Sequence, residues 1–389
     1  MNEENNMKRL GGRVLRWRCT PVIRVFGMAA ACGIVAACAS VGGGGGGTVT
    51  NDGRGPTADQ TSPDAIWPVK TREHVDLWLH GYALLQEDTT FVPFFKRGYG
   101  TNMIVLKNRA NVVTQLDANR DRLRARIVIN PGLINAQFVP LAFSNWAELS
   151  QTVDLFVSAQ GNPRAASSQQ QVQGIAFLAA YFQTAADRDW LRLFVQSLND
   201  ESTKFYHSYW VQQQRERSNV LELVDTLWQR TYRPRMQKFL NNTQQAQGEV
   251  LLSIPLDGEG RSVTSGKQSN TITVTFPDRP NDAVEAIYVI AHEAVSALAA
   301  TAVTDNITPE QRRTGLGERY QSAAAVRGGA LLIQRTSPES LDGYMRYYLR
   351  SVNRPVGASV QTTFTSTFAL PDTIRDALVR QLDVVLGGI

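Results

Sequence analysis

His292 and Glu293 stand side by side in the apolar run Ala286-Ile287-Tyr288-Val289-Ile290-Ala291-His292-Glu293-Ala294-Val295-Ser296-Ala297-Leu298, with no other acidic or basic residue between Glu285 and Asp305. A helix this apolar buries most of its surface, and burying an imidazole and a carboxylate without partners costs several kcal/mol. Two kinds of compensation present themselves. A metal ion would take the lone pairs of both groups. Alternatively, hydrogen bonds or ion pairs, for instance with Arg319 or Arg327, would satisfy them and leave a purely structural pair.

The elements around the pair decide how it is presented. Gly248–Pro255 and Asn270–Phe276 read as strands, the second with clear period-two alternation, and Asp257-Gly258-Glu259-Gly260 and Ser265-Gly266-Lys267 read as turns between them. The His292 helix is expected over Asp282 to Val303, followed by helices near Pro309–Arg335, Pro338–Arg350 and Pro371–Leu386. Gly328-Gly329 is costly inside a helix and is expected to permit close packing against the His292 helix.

The pattern His292-Glu293-Ala294-Val295-Ser296 resembles the HExxH helix of zinc hydrolases, in which two histidines on one helical face bind the metal and the intervening glutamate activates a water. Serine stands where the second histidine belongs. Strands before this helix and a glutamate-bearing helix after it resemble the gluzincin branch of the zinc metallopeptidases. That resemblance implies His292 as first metal ligand, Glu293 as general base and Glu318, 25 residues past Glu293, as third ligand. It implies that Ser296 marks a lost ligand, and that Tyr344, Tyr347 or Tyr348 matches the group that steadies the tetrahedral intermediate. A catalytic zinc needs three protein ligands and one open position. His292 and Glu318 alone would hold zinc weakly, and Asp305, thirteen residues past His292, matches no ligand spacing. The expected state is therefore metal-free, with zinc as the cation to test.

Upstream the chain reads as helices near Trp67–Gln86, Asn102–Ile129, Asn145–Ser158, Gln169–Gln183, Asp187–Leu198 and Glu201–Leu240, the last with a core-packing aromatic stripe and a bend at Pro234. His74, His80 and His207 are the other histidines, of which His80, in the aromatic stretch Leu77–Tyr82, is expected to be packed and hydrogen-bonded, and Arg97-Gly98-Tyr99-Gly100 lacks the spacing of a phosphate loop. The fold class is α+β and predominantly helical, with a small sheet preceding a buried His-Glu helix.

The first residues set location. Lys8, Arg9, Arg13, Arg16, Arg18 and Arg24 form a basic leader, Val25–Ala37 is a short apolar segment, and Val35-Ala36-Ala37-Cys38 resembles the lipobox of bacterial lipoproteins. The resemblance implies that Cys38 is lipidated and becomes the mature N-terminus; Cys32 is the second candidate. Gly42–Gly47 and the polar run to Pro63 read as a tether. Six of the 40 basic and two of the 35 acidic residues lie in the leader, leaving 34 against 33, so the pI of about 9.1 is no argument for nucleic-acid binding. All three cysteines lie at or before Cys38, so no disulfide is expected in the body.

The domain reading is a signal over 1–37, a tether over 38–66, a helical region over 67–245 and a zincin-like α+β region over 246–389. It describes a lipid-anchored envelope protein, with Ala39 after the anchor favouring the outer membrane facing the periplasm. Its metallopeptidase-like domain is inactive and binds or scaffolds a peptide or envelope protein. Two alternatives stand beside it: an active zinc hydrolase with a non-standard ligand set, and a structural helical lipoprotein.

Overall fold

In a computed structural model, residues 66–264 and 270–387 are described. The expected signal, Cys38, and the tether up to residue 65 lie outside them. The expected α+β, mainly helical class is what is observed, with one four-stranded sheet set among helices.

Four strands build the sheet: β1 (Val69–Lys70), β2 (Gly248–Ser253), β3 (Arg261–Thr264) and β4 (Asn270–Thr275), in the order β1-β2-β4-β3. β1 and β4 both run parallel to β2, with Val250 opposite Val69 and Ile272, while β3 returns antiparallel to β4 along the edge. The alternation of β2 serves two cores. Val250, Leu252 and Ile254 join Ile272 and Val274 against the His292 helix, whereas Leu251 faces the aromatic core of the N-terminal helices. Strands β1 and β3 are additions to the two strands legible in the sequence. A two-residue strand and a four-residue strand of Arg, Ser, Val and Thr are too short for an alternation signal.

Helix ends differ from expectation for local reasons. The stretch 102–129 is broken into Tyr99–Arg109 and Gln115–Ile129, because Asn111 takes a left-handed conformation (φ 53°) and Thr114 forms a capping box with Asp117. Pro234 does not break its helix: the π-helical turn Trp228–Tyr232 precedes it and places it in the first turn of Arg233–Asn242, where no N–H is needed. Gly315, at φ 76°, divides Pro309–Arg313 from Leu316–Thr336. The extended 3₁₀ segment Pro131–Ala142 and the helix Val360–Thr367 were not legible.

The helix Val284–Asn306 is long and apolar enough to cross a membrane, yet most of its apolar stretch is buried inside the protein, as expected of a core helix. It packs along Leu316–Thr336, and Gly328 and Gly329 do lie against it, a Cβ at Gly328 meeting Val295 and one at Gly329 reaching the backbone of His292.

A second buried ionic group sits in the N-terminal half. Glu201, fully buried, accepts from Lys107 Nζ at 2.9 and 2.7 Å and from the Thr114 hydroxyl, and lies 3.1 Å from His80 Nε2. His80 Nδ1 is 3.0 Å from the Tyr99 hydroxyl, and Lys107 also reaches Asp117 at 2.7 Å. Burial alone pushes the Glu201 carboxyl up, but His80 and Lys107 outweigh it and hold it at about 2.

Candidate functional site

His292 and Glu293 lie midway along their helix and are 1% and 5% exposed. The segment that meets them is the turn Asp257-Gly258-Glu259-Gly260, and residues far upstream hold that turn. Asp257 N and Glu259 N donate to Phe94 O (2.7 Å) and Pro93 O (2.9 Å), and Lys96 N donates to Pro255 O (2.8 Å). The upstream segment is itself shaped by Asp88, whose Oδ2 accepts from Phe94 N and Phe95 N at 2.5 and 3.0 Å. From the other side the Tyr348 hydroxyl donates to Gly258 O at 3.2 Å.

Two consequences follow at the site. Gly260 N donates to Glu293 Oε1 at 3.0 Å, a close approach that only glycine permits, since a Cβ there would collide with the Thr273 carbonyl oxygen. Glu259 is brought beside His292, so that Glu259, His292 and Glu293 form a compact group with one candidate ligand atom from each within 4.8 Å of the others.

The imidazole of His292 lies nearly parallel to the Tyr348 ring, with centroids 5.4 Å apart. Its Nδ1 is 3.1 Å from Glu293 Oε1; a carboxylate oxygen that already takes the Gly260 N–H is an acceptor, so Nδ1 carries the proton. Among the described residues its Nε2 is buried without a hydrogen-bond partner, and it faces Glu259 Oε2 at 3.7 Å. The other Glu259 oxygen accepts from the Ser322 hydroxyl at 2.8 Å.

Burial pushes the Glu259 carboxyl up to about 7, against the pull of His292. Burial also opposes the charged form of His292, but the carboxylates of Glu259 and Glu293 outweigh it and raise its pKa above the ordinary value. The three groups thus compensate one another, and the partners of His292 and Glu293 are Glu259, Gly260 and each other. The guanidinium groups expected to serve them lie elsewhere, Arg319 over Phe91 and Arg327 over Phe364.

Ser296, one turn past His292, is half-buried. Glu318 is exposed in the first turn of Leu316–Thr336, outside the triad; Ser322, one turn further on, is what that helix directs to Glu259. The three tyrosines divide: Tyr348 stacks on His292, Tyr344 donates to Val326 O at 2.9 Å, and Tyr347 is 3.5 Å from Asp257. His74 is 3.0 Å from Phe143 O, His80 belongs to the Glu201 group, and the exposed His207 is 2.9 Å from Glu73. Sequence reasoning read Glu259 only as part of a turn. Its signal was an acidic residue flanked by glycines just before an edge strand.

At Asp257, two residues before Glu259 in the chain, lies a cleft of about 370 Å³ lined by groups of both signs, including Lys96, Arg97, Asp257, Glu285 and Arg350. Burial raises Asp257 to about 6 despite Lys96 and Arg350 nearby. No family model, curated protein or solved structure matches this chain.

Proposed function

We propose that the chain is a lipid-anchored protein of a bacterial cell envelope whose metallopeptidase-like core binds a peptide or envelope protein without hydrolysing it. One observation carries the non-hydrolytic part of this reading. One oxygen of the Glu293 carboxylate, the group a zinc peptidase would use to activate water, is engaged twice: Oε1 takes both the His292 Nδ1 proton and the Gly260 N–H. With serine at 296, the ligand pair of an HExxH helix is also incomplete.

Two features support binding. β3 lies at the sheet edge and starts directly after Gly260, so an extended peptide adding to it would run past Glu259. The cleft at Asp257 offers both carboxylates and guanidinium groups to a polar chain. The anchor rests on Val35-Ala36-Ala37-Cys38.

The second reading, a working zinc hydrolase, draws on the Nε2 of His292, which has no hydrogen-bond partner among the described residues. Incubating the full chain and its Glu293→Gln variant with zinc and a mixed-sequence peptide library separates the two, with mass spectrometry as the readout. The proposal expects the same peptides from both proteins; cleavage by the parent that Glu293→Gln abolishes would overturn it. Fractionation checks the anchor. Cys38→Ala should release the chain from the membrane, and undiminished membrane retention with continued fatty-acid labelling would contradict the assignment.

A further inference from the structure

We propose that His292 Nε2 and Glu259 Oε2 together hold one divalent transition-metal ion, with Glu293 and Ser322 orienting the two ligands from behind. The inference deepens the reading of this site given above, and rests on the same hydrogen bond between Glu293 and the imidazole.

The starting point is a bare lone pair. In the neutral ring, with Nδ1 protonated toward Glu293, Nε2 is an acceptor, and among the described residues it is buried without a hydrogen-bond partner. Such a group is costly to bury unless something satisfies it. Ser322 donates to Glu259 Oε1, which leaves Oε2 as the oxygen facing Nε2. Their separation of 3.7 Å is too long for a hydrogen bond. It is within reach of two ligands that each lie about 2.0–2.2 Å from a shared ion.

The groups behind the pair have the form that metal sites use. A ligating histidine commonly donates its other N–H to a carboxylate, which fixes the tautomer and raises the basicity of the ligating nitrogen. Glu293 does this for His292, and Gly260 N–H fixes Glu293 in turn. Tyr348, stacked on the ring, limits its rotation. One imidazole nitrogen and one carboxylate oxygen suit zinc, cobalt or manganese better than calcium, which prefers an all-oxygen shell. Two protein ligands leave the remaining positions to water or to a carboxylate of a bound partner. This set differs from the one the resemblance implies, because its carboxylate comes from the turn before β3 and not from the helix of Glu318.

The full chain, purified in detergent without chelator, is titrated with Co²⁺ and followed by visible absorption, then displaced with Zn²⁺ and confirmed by calorimetry. The proposal expects one ion per chain. Glu259→Gln, which preserves shape and sits at the partly exposed member of the pair, should abolish binding, as should His292→Gln. Glu293→Gln should weaken binding roughly 10–100-fold while keeping the stoichiometry. Glu318→Gln should leave the affinity unchanged. Circular dichroism of each variant establishes that it is folded; should His292→Gln fail to fold, Glu259→Gln carries the test. No binding by the parent, or binding that survives Glu259→Gln or is lost with Glu318→Gln, overturns the proposal. Absence of the metal would leave the non-hydrolytic reading standing, whereas bound zinc with Glu293-dependent cleavage would overturn that reading and keep the metal.

Discussion

Lys107→Met is expected to destabilise the fold by about 3 kcal/mol or more, because it strips the ammonium that reaches both oxygens of a carboxylate with no access to water. Glu201 is fully buried and Lys107 only 2% exposed, so neither can be rehydrated locally. The combined variant Lys107→Met/Glu201→Gln should lose less than the sum of its parts, since a buried neutral amide is cheaper than a buried unpaired charge. Urea denaturation of the four proteins of the cycle measures the coupling. The same group gives the fold an acid sensitivity of definite sign. Glu201 is held at about 2, below the ordinary 4.5, so the folded state binds fewer protons than the unfolded chain between those values. Its stabilising contribution is complete above about pH 4.5 and is lost as pH falls toward 2, to the extent of about 3 kcal/mol. Measured as the stability difference between the parent and Glu201→Gln, this contribution should shrink between pH 5 and pH 2. A difference independent of pH would show that Glu201 is not held ionised.

Gly329→Ala should cost about 2 kcal/mol, even though replacing glycine inside a helix ordinarily gains up to about 1. A Cβ at this position would land on the hydroxyl of Tyr344, with the ring carbon behind it at 2.9 Å and His292 Cα at 3.2 Å. The hydroxyl has nowhere to move, since Tyr344 is fully buried and donates to Val326 O. The clash should ease in a Tyr344→Phe background, where the hydroxyl is gone and the added Cβ meets only the ring carbon and His292 Cα. Thermal unfolding of the four proteins reads this out, and an unchanged penalty in the phenylalanine background would place the strain elsewhere.

What could be read from the residues alone was the carrier of the site and not its partner. His292 and Glu293 were conspicuous because nothing else charged lies in their helix, and the alternation of 270–276 announced a strand. Gly328-Gly329 signalled a close approach because glycine pairs are expensive in a helix. Glu259 was invisible because its role depends on a tertiary event: Phe94 and Pro93, more than 160 residues upstream, fix the turn that delivers it. Lys107 and Glu201 were invisible for the same reason, and His80 was legible as a packed histidine without its partners, since no local helix pattern signals that three charged or polar faces converge. Short strands fared worst. Val69–Lys70 is a strand only because β2 offers it an edge.

The account depends most on where the proton of His292 sits, because that assigns Glu293 to the imidazole and leaves Nε2 free to ligate. The chain has only four histidines, so ¹⁵N-histidine labelling yields a spectrum simple enough to assign, with Glu293→Gln marking the His292 signals. In the presence of chelator and at alkaline pH, where the ring is neutral, the account predicts a proton on Nδ1 and a bare Nε2. A neutral ring protonated on Nε2 would contradict it.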